Sequence, residues 1–508
     1  MKLRLLLSVG LMALLWWLGG CERPEPPVRQ GPLAFSADTV AFDSIFVNFL
    51  TPSERLIVTN PEGQDLIVDR IWLEAGQDSE FEIMVDGIRA DTVEEVLIRG
   101  RDSTFIFVNL RSMLRDDFAE EFLAFQVGDE VYRILLRAKV IDAYYFRARI
   151  EQEGEFVSLS EDSYFFREDT TLTPEKPIIY DGPIFIPDGV TVRIEPGTQI
   201  YFTPYKFGIR DSQGVRDVIA LYSMWLIDGT VRAEGSPMAP VVFQGTRFDS
   251  SYQENPAQWR GLNFRKSSRN NLLEHAVVKN ALIGVQVDSL PLTNQPKLTV
   301  RHSSIRNMGA HGVVGVGAAP GVRDNQPPTI LMENTEVHTC QERTLLIWAG
   351  GKHEFYNCTF GNYNLANFSR RTPQALFLNW ISPDGVNAFV YPAYVDLVNC
   401  IIYGSEDNEV VMDTLAGQPF ERLSFDHCLL KVEPEEYLPV IRSKFTDCLL
   451  NQDPRFAATG LRDYRLQANS PAIDAGRDLS DRFTLDIRGL PDSSRTLPFD
   501  MGAWEFVE

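Results

Sequence analysis

A four-residue phrase repeated through the second half of this 508-residue chain constrains its fold more than any other feature. A polar residue comes first, usually a small one second, and then a pair ending in an apolar residue. The copies are His275-Ala-Val-Val278, His302-Ser-Ser-Ile305, Asn334-Thr-Glu-Val337, Asn357-Cys-Thr-Phe360, Asn399-Cys-Ile-Ile402, His427-Cys-Leu-Leu430 and Asp447-Cys-Leu-Leu450. Successive polar members lie 27, 32, 23, 42, 28 and 20 residues apart, by subtraction of those positions. That is the range of solenoid rungs with loops inserted in some turns. Strand-forming residues precede most copies, as in Leu298-Thr-Val300 and Leu423-Ser-Phe425. Each rung therefore reads as β and the stack as a parallel β-helix of about ten rungs at roughly 25 residues each.

The two leading positions of the phrase carry their own expectations. His275, His302, His427, the three asparagines and Asp447 read as a polar ladder along one edge, spaced by the strand separation of about 4.8 Å and satisfying its own hydrogen bonds. Cys358, Cys400, Cys428 and Cys448 stand where other rungs place Ala276, Ser303 and Thr335, so they read as one buried column of small residues. Disulfides between neighbouring rungs and a metal site remain as alternatives, although no pair has the two-residue spacing of zinc ligands. Cys340 stands outside the column as a free thiol. His338 and His353 read as ordinary surface residues, and a metal held by His275, His302 and His311 is the functional alternative for the ladder.

Forty-eight basic against seventy acidic residues give a formal charge of -22, which argues against nucleic acid as a partner. Lys2 and Arg4 precede an apolar run from Leu5 to Leu18 and then Gly19-Gly-Cys21, so residues 1–20 read as a secretory signal rather than a membrane span. Leu18-Gly-Gly-Cys21 resembles the lipobox of bacterial lipoproteins. The resemblance implies cleavage before Cys21 and acylation of its thiol, which makes a lipid bilayer the partner and the outer membrane the location, on one face or the other. Several acyl chains anchor stably where one would not. The proline-rich residues 21–32 then read as an extended tether.

Length alone suggests about three domains. Residues 33–145 hold short alternating runs such as Ile45-Phe-Val47, Leu56-Ile-Val58 and Phe105-Ile-Phe-Val108, separated by polar turns such as Asn60-Pro-Glu-Gly63 and Gly100-Arg-Asp102, the pattern of a β-sandwich. Leu56-Ile-Val-Thr-Asn-Pro61 with Ile71, Phe81 and Val85-Asp-Gly87 resembles immunoglobulin-like domains of the abnormal-spindle and hydin type, which implies a spacer or binding module. Residues 146–176 read as a linker. Over 177–450 the solenoid opens with Asp181-Gly-Pro183, Glu195-Pro-Gly197 and Asp228-Gly229 turns between short apolar strands. These phrases resemble the entry coils of right-handed parallel β-helix proteins of the pectate-lyase-like superfamily, and in particular lipoproteins of Bacteroidetes-type bacteria. The fold class expected is therefore all-β, a sandwich followed by a right-handed parallel β-helix.

Residues 451–508 carry Asp453-Pro-Arg-Phe456, Ser470-Pro-Ala-Ile-Asp-Ala-Gly476, Asp486-Ile-Arg-Gly489 and Asp500-Met-Gly-Ala-Trp-Glu505, which look like the terminal motif of exported β-helix proteins. A solenoid needs a cap over its last rung. Trp504, Phe506 and Ile473 are the candidates to cover the open core, with Asp474, Asp486 and Asp500 tying turns. A structural calcium site at those three aspartates is the alternative, and calcium is the one cofactor the sequence suggests; no other is expected.

The superfamily resemblance implies cleavage of acidic polysaccharides, yet no phrase here matches a catalytic motif, and fold analogy alone supports an enzyme. Hydrolysis needs two carboxylates across a groove, which adjacent rungs could supply, for instance Asp396 with Asp426, although the same acids also read as outward positions of a half-buried strand. Aromatic residues in long inserts offer the better route to a ligand, because rings on a rigid scaffold stack against sugars. Trp225 and Trp348, inside apolar strand runs, read as core instead. The insert from Gly361 to Tyr394 presents Tyr363, Trp380, Tyr391 and Tyr394 as the candidate binding residues. The function expected is a non-catalytic envelope or surface module that binds carbohydrate or serves as structure. The alternative is a polysaccharide lyase or glycoside hydrolase working in the solenoid groove.

Overall fold

The computed structural model describes residues 26–507 apart from 47–52, 111–117, 149, 154–155, 160–165, 205, 212–213, 221, 248–252, 366–367, 416, 433–441 and 491–493. Cys21 and the signal before it lie outside the described residues. The chain is all-β and divides into two units, Met1–Asp142 and Ala143–Glu508.

Alternation of apolar and polar residues builds the first unit. Glu54–Thr59 and Phe81–Val85 bury every second side chain, as a strand with one face against a core must. Two five-stranded sheets result. One runs Ala34–Phe35, Glu54–Thr59, Ser103–Leu110, Phe81–Val85, Ile88–Ala90. The other runs Thr39–Phe46, Glu130–Ile141, Phe118–Val127, Leu66–Leu73, Thr92–Ile98, with its first pair parallel. Leu56, Val58, Val68, Ile71, Phe81, Ile106, Phe125 and Leu136 share one core. The polar turns pack on each other at one end. Asn60 Nδ2 donates to the carbonyls of Gln64 and Ile98, and a side chain at Gly100 would stand 2.1 Å from the carbonyl oxygen of Gly63.

The described part of the expected tether is docked on this unit. Val28 bridges to Leu66, and Arg29 forms ion pairs with Asp69 at 2.5 Å and Glu95 at 2.7 Å. A β-branched residue beside an arginine gives residues 26–32 a strand-edge partner that proline content alone does not reveal.

The second unit is a coil of three long parallel sheets with eleven, ten and eight strands, the arrangement of a parallel β-helix. A full rung contributes one strand to each sheet; for one rung these are Leu298–Arg301, Ser304–Met308 and His311–Val316. Inward residues stack in register, as in the column Ile194, Ala233, Leu273, Val300, Met332, Phe355, Leu397, Phe425. Each fully buried large apolar side chain in such a column contributes about 1.5–3 kcal/mol. At the entry the lumen is aromatic: the rings of Phe202 and Trp259 stack 4.0 Å apart, and Trp225 meets Tyr180 edge-on at 5.6 Å.

The stretch 146–176 is not a plain linker. Tyr144–Arg147 and Thr170–Leu172 pair in parallel with Ile178–Asp181 and Thr191–Ile194, and Phe166 is buried in the coil's core. The first rung therefore starts at Tyr144, 37 residues before the first Asp-Gly turn at Asp181 by subtraction of those positions. It is hidden in the sequence because an antiparallel hairpin, Ile150–Glu153 with Phe156–Leu159, interrupts it.

The repeat phrase is the corner between the ten-stranded and eleven-stranded sheets. All seven leading polar residues have φ between 43° and 54°, the left-handed region that Asn, Asp and His tolerate better than other side chains. Backbone conformation thus explains their type before any ladder does. The second residue of each phrase turns inward and caps carbonyls: Ser303 Oγ donates to Arg301 at 2.7 Å, Thr335 Oγ1 to Glu333 at 2.8 Å, and the Cys400 thiol to Val398 at 3.4 Å. Cys358, Cys400, Cys428 and Cys448 continue this column as free thiols, the first three buried.

Candidate binding site

One outward column of the eleven-stranded sheet reads Val277, Ser304, Glu336, Thr359, Ile401, Leu429, Leu449 in register. Its later members are apolar and need cover. Residues 470–490 and 494–506 supply it as a strap along the flank of the coil, where Ala472, Met501 and Phe506 pack with Ile401 and Leu429. Trp504, Phe506 and Ile473, expected over the open end of the core, lie on this flank instead. The apolar outward residues pull the segment there.

The corner ladder gives the strap its second line of attachment. Asn399 exchanges hydrogen bonds with the backbone of Arg477, donating through Nδ2 at 2.9 Å and accepting through Oδ1 at 2.7 Å. Arg495, with a side chain excluded from solvent, donates through Nε and Nη2 to Asn334 Oδ1 and through Nη1 to Glu505 at 2.9 Å. His302 Nδ1 lies 2.8 Å from the carbonyl oxygen of Asp486 and donates to it, while Gly489 sits where a side chain would meet the His275 ring at 2.4 Å.

A cleft of about 190 Å³ opens where the strap reaches the earlier rungs. Val277, Ser304 and Glu336, successive outward residues of the eleven-stranded sheet, form its floor, and Trp504 of the strap and His275 and His302 of the corner line it. The two imidazoles stack 5.0 Å apart at 17°. Burial pushes His275 down to about 4 and His302 down as well, so both are neutral near pH 7 and each keeps an acceptor nitrogen. Burial would raise the Glu336 carboxyl, but the neighbouring His338 imidazole, with Nε2 3.7 Å away, and the hydrogen bond from Trp504 outweigh it and the net direction is down. Trp504 Nε1 donates to Glu336 Oε2 at 3.1 Å, which fixes the plane of the indole. Arg488 stands at the rim, paired with Asp486 at 2.8 Å. The cleft thus combines an oriented aromatic face with hydrogen-bond donors and acceptors.

The residues singled out in the sequence fall into separate places. Tyr363 lies under the C-terminal segment, its ring 6.1 Å from Phe456 and 6.2 Å from Tyr464. Trp380 and Tyr391 share the base of a hairpin, Trp380–Ile381 with Phe389–Val390, and the Tyr391 amide donates to Asn379 at 2.7 Å. Tyr394 follows on the outer face of the ten-stranded sheet with Arg422 5.6 Å from its ring centre. Trp348 is an outward residue and 40% exposed, because inward Leu345 and Ile347 alternate with outward Leu346 and Trp348. His338 and His353 are buried rather than on the surface.

Neither acid set converges. Asp396 is held by Arg422 at 2.6 Å and 2.8 Å and by Ser424, while Asp426 is held by Arg477 at 2.8 Å and His427 at 2.7 Å. Asp396 stands opposite Ser424 in register, so the two acids are offset by two residues. Asp500 accepts from the amides of Asp474 and Phe506, and Asp486 from those of Arg488 and Glu505. Among the described residues no group of three or more His, Cys, Asp or Glu has metal-holding geometry, the set Asp474, Asp486 and Asp500 included.

No protein-family model matches the chain, and no curated protein matches it either.

Proposed function

We propose that the chain is a lipid-anchored lipoprotein of the bacterial outer membrane whose right-handed β-helix is a non-catalytic module for binding carbohydrate, with the first unit as an immunoglobulin-like spacer. The cleft beside Trp504 carries the binding part of this reading, since an indole held in plane by a carboxylate is a platform for the apolar face of a sugar. The non-catalytic part is supported by the outer acids of the ten-stranded sheet: Asp396, Asp426 and Glu333 are each engaged by an arginine rather than opposed across a groove. The anchor rests on Leu18-Gly-Gly-Cys21.

The full-length protein, purified in a detergent without a sugar headgroup, is screened against acidic and neutral polysaccharides with and without calcium. Retention without new reducing or unsaturated ends is the result expected. New ends that vanish on Asp396→Asn would overturn the non-catalytic reading and make the chain a polysaccharide-cleaving enzyme. For the anchor, Cys21→Ser is expected to release the protein from the membrane fraction and abolish incorporation of labelled fatty acid; unchanged incorporation refutes it.

A further inference from the structure

We infer that the cleft between the strap and the corner ladder is a subsite for a single uncharged pyranose ring, stacked on Trp504 and hydrogen-bonded by Glu336 and by the imidazoles of His275 and His302. The inference rests on the binding reading above and gives it a site and a ligand class. Four observations carry it.

The volume of about 190 Å³ suits one sugar ring and excludes a chain laid along the flank. Strap and coil close it on two sides, with Ile487 and Arg488 on the strap and Pro237 and Pro240 on an earlier rung. A pyranose has one face of C–H groups and a rim of hydroxyls. The lining of the cleft supplies both kinds of partner, an indole for the C–H face and a carboxylate and two imidazoles for the hydroxyls.

The second observation is that the platform is built rather than incidental. Trp504 is half-buried, and its Nε1–H is bonded to Glu336, which stands in register with Ser304 on the floor. The indole therefore keeps its face, not its edge, for a ligand.

The third concerns charge. The Glu336 carboxylate faces the cleft, while the Arg488 guanidinium at the rim is already paired with Asp486. A uronic acid would bring its carboxylate beside Glu336 with no unpaired Arg or Lys among the described lining residues to offset it, so neutral rings are favoured over acidic ones.

The fourth is the neutral histidine pair. Two stacked rings with unprotonated nitrogens accept hydrogen bonds from sugar hydroxyls without attracting anions, and Gly489 leaves the His275 ring room to keep its place. His302 and Glu336 also tie the strap to the coil, but Arg495, Asn399 and the apolar flank hold it by separate contacts.

The test uses the full-length protein and the methyl glycosides of glucose, galactose and mannose, with glucuronic acid as the charged comparison. Tryptophan fluorescence and histidine ring proton shifts are followed in titrations. At least one neutral glycoside is expected to bind, to move the His275 and His302 resonances, and to lose affinity about tenfold on Trp504→Ala. Val277→Phe, which fills the floor and removes no hydrogen bond, is expected to abolish binding while strap protection against hydrogen exchange stays intact; this covers the case in which Trp504→Ala loosens the strap. Glu336→Gln is expected to admit glucuronic acid. Absence of any shift with all three neutral glycosides overturns the inference, as does binding that Val277→Phe leaves unchanged. Retention on a polysaccharide that is insensitive to Val277→Phe would remove this subsite and leave the wider binding function standing.

Discussion

Arg495 is the point at which the strap is most exposed to a single change. Its side chain is wholly excluded from solvent, and its partner Glu505 is 4% exposed. The guanidinium also donates to Asn334 Oδ1 and to the carbonyls of Gly502 and Ala503. Arg495→Met keeps most of the volume and removes every donor. Glu505 is then left buried with only the amides of Thr496 and Asp500, and Asn334 Oδ1 loses its partner. Breaking a buried pair in this way costs about 3–5 kcal/mol, because one charge remains without compensation. At 1.4 kcal/mol per tenfold, amides of the described strap residues should exchange roughly 140 to 4,000 times faster, while amides of the inner strands keep their rates. The control is Arg477→Ala, whose ion pair with Asp426 has a guanidinium side 54% exposed and should change strap exchange by no more than about fivefold. Equal, small effects of the two variants would refute the reasoning that Arg495 locks the strap.

Three further outcomes follow from the interior of the coil. Burial pushes His353 down to about 4, below an ordinary value of 6.5, so the unfolded chain binds the extra proton. Stability should therefore fall as pH drops from 6.5 toward 4 and lose no more from this group below that; the drop of about 3 kcal/mol should shrink in His353→Leu, measured by denaturant midpoints at several pH values. At Gly261 the backbone has φ 120°, and an added Cβ would stand 1.7 Å from the carbonyl oxygen of Ile283, so Gly261→Ala should lower stability by more than about 1 kcal/mol in the same assay; a neutral result would show that this turn can move. Thiol reagents should modify Cys448 before Cys428, Cys400 or Cys358, because it alone of the four is partly exposed, and simultaneous modification of all four without unfolding would contradict the buried column.

What the sequence discloses of this fold is what repeats. The register of the rungs is visible in Asn357-Cys-Thr-Phe360 and its relatives because corner, column and first outward residue recur at fixed offsets. The first rung escapes detection because a hairpin divides Tyr144–Arg147 from Thr170–Leu172. Trp348 is misplaced for a related reason: Leu345-Leu-Ile-Trp348 is apolar on both faces, so period two gives no sign of which side is inward. The candidate cleft is legible only in part. His275 and His302 stand out as members of the phrase, but Glu336 occupies an ordinary third position and Trp504 a terminal motif. Their meeting depends on the strap running backward along the coil, which no local pattern encodes.

The left-handed corner ties these parts together. A corner that demands φ near 50° favours Asn, Asp and His, and each of these carries a polar group that the sharp turn leaves pointing away from the lumen. Stacked rung on rung, they form a row of donors and acceptors along the flank, more than they satisfy among themselves: Asn399 donates to Asn357 at 3.0 Å, and the remaining groups turn to the C-terminal segment. The ladder is therefore a docking line as well as a corner. If so, Asn334→Gly, which suits the left-handed backbone but deletes the acceptor of Arg495, should leave the coil's melting transition nearly unchanged while strap exchange quickens by more than tenfold. A fall in coil stability with the strap unaffected would instead assign Asn334 to the corner alone.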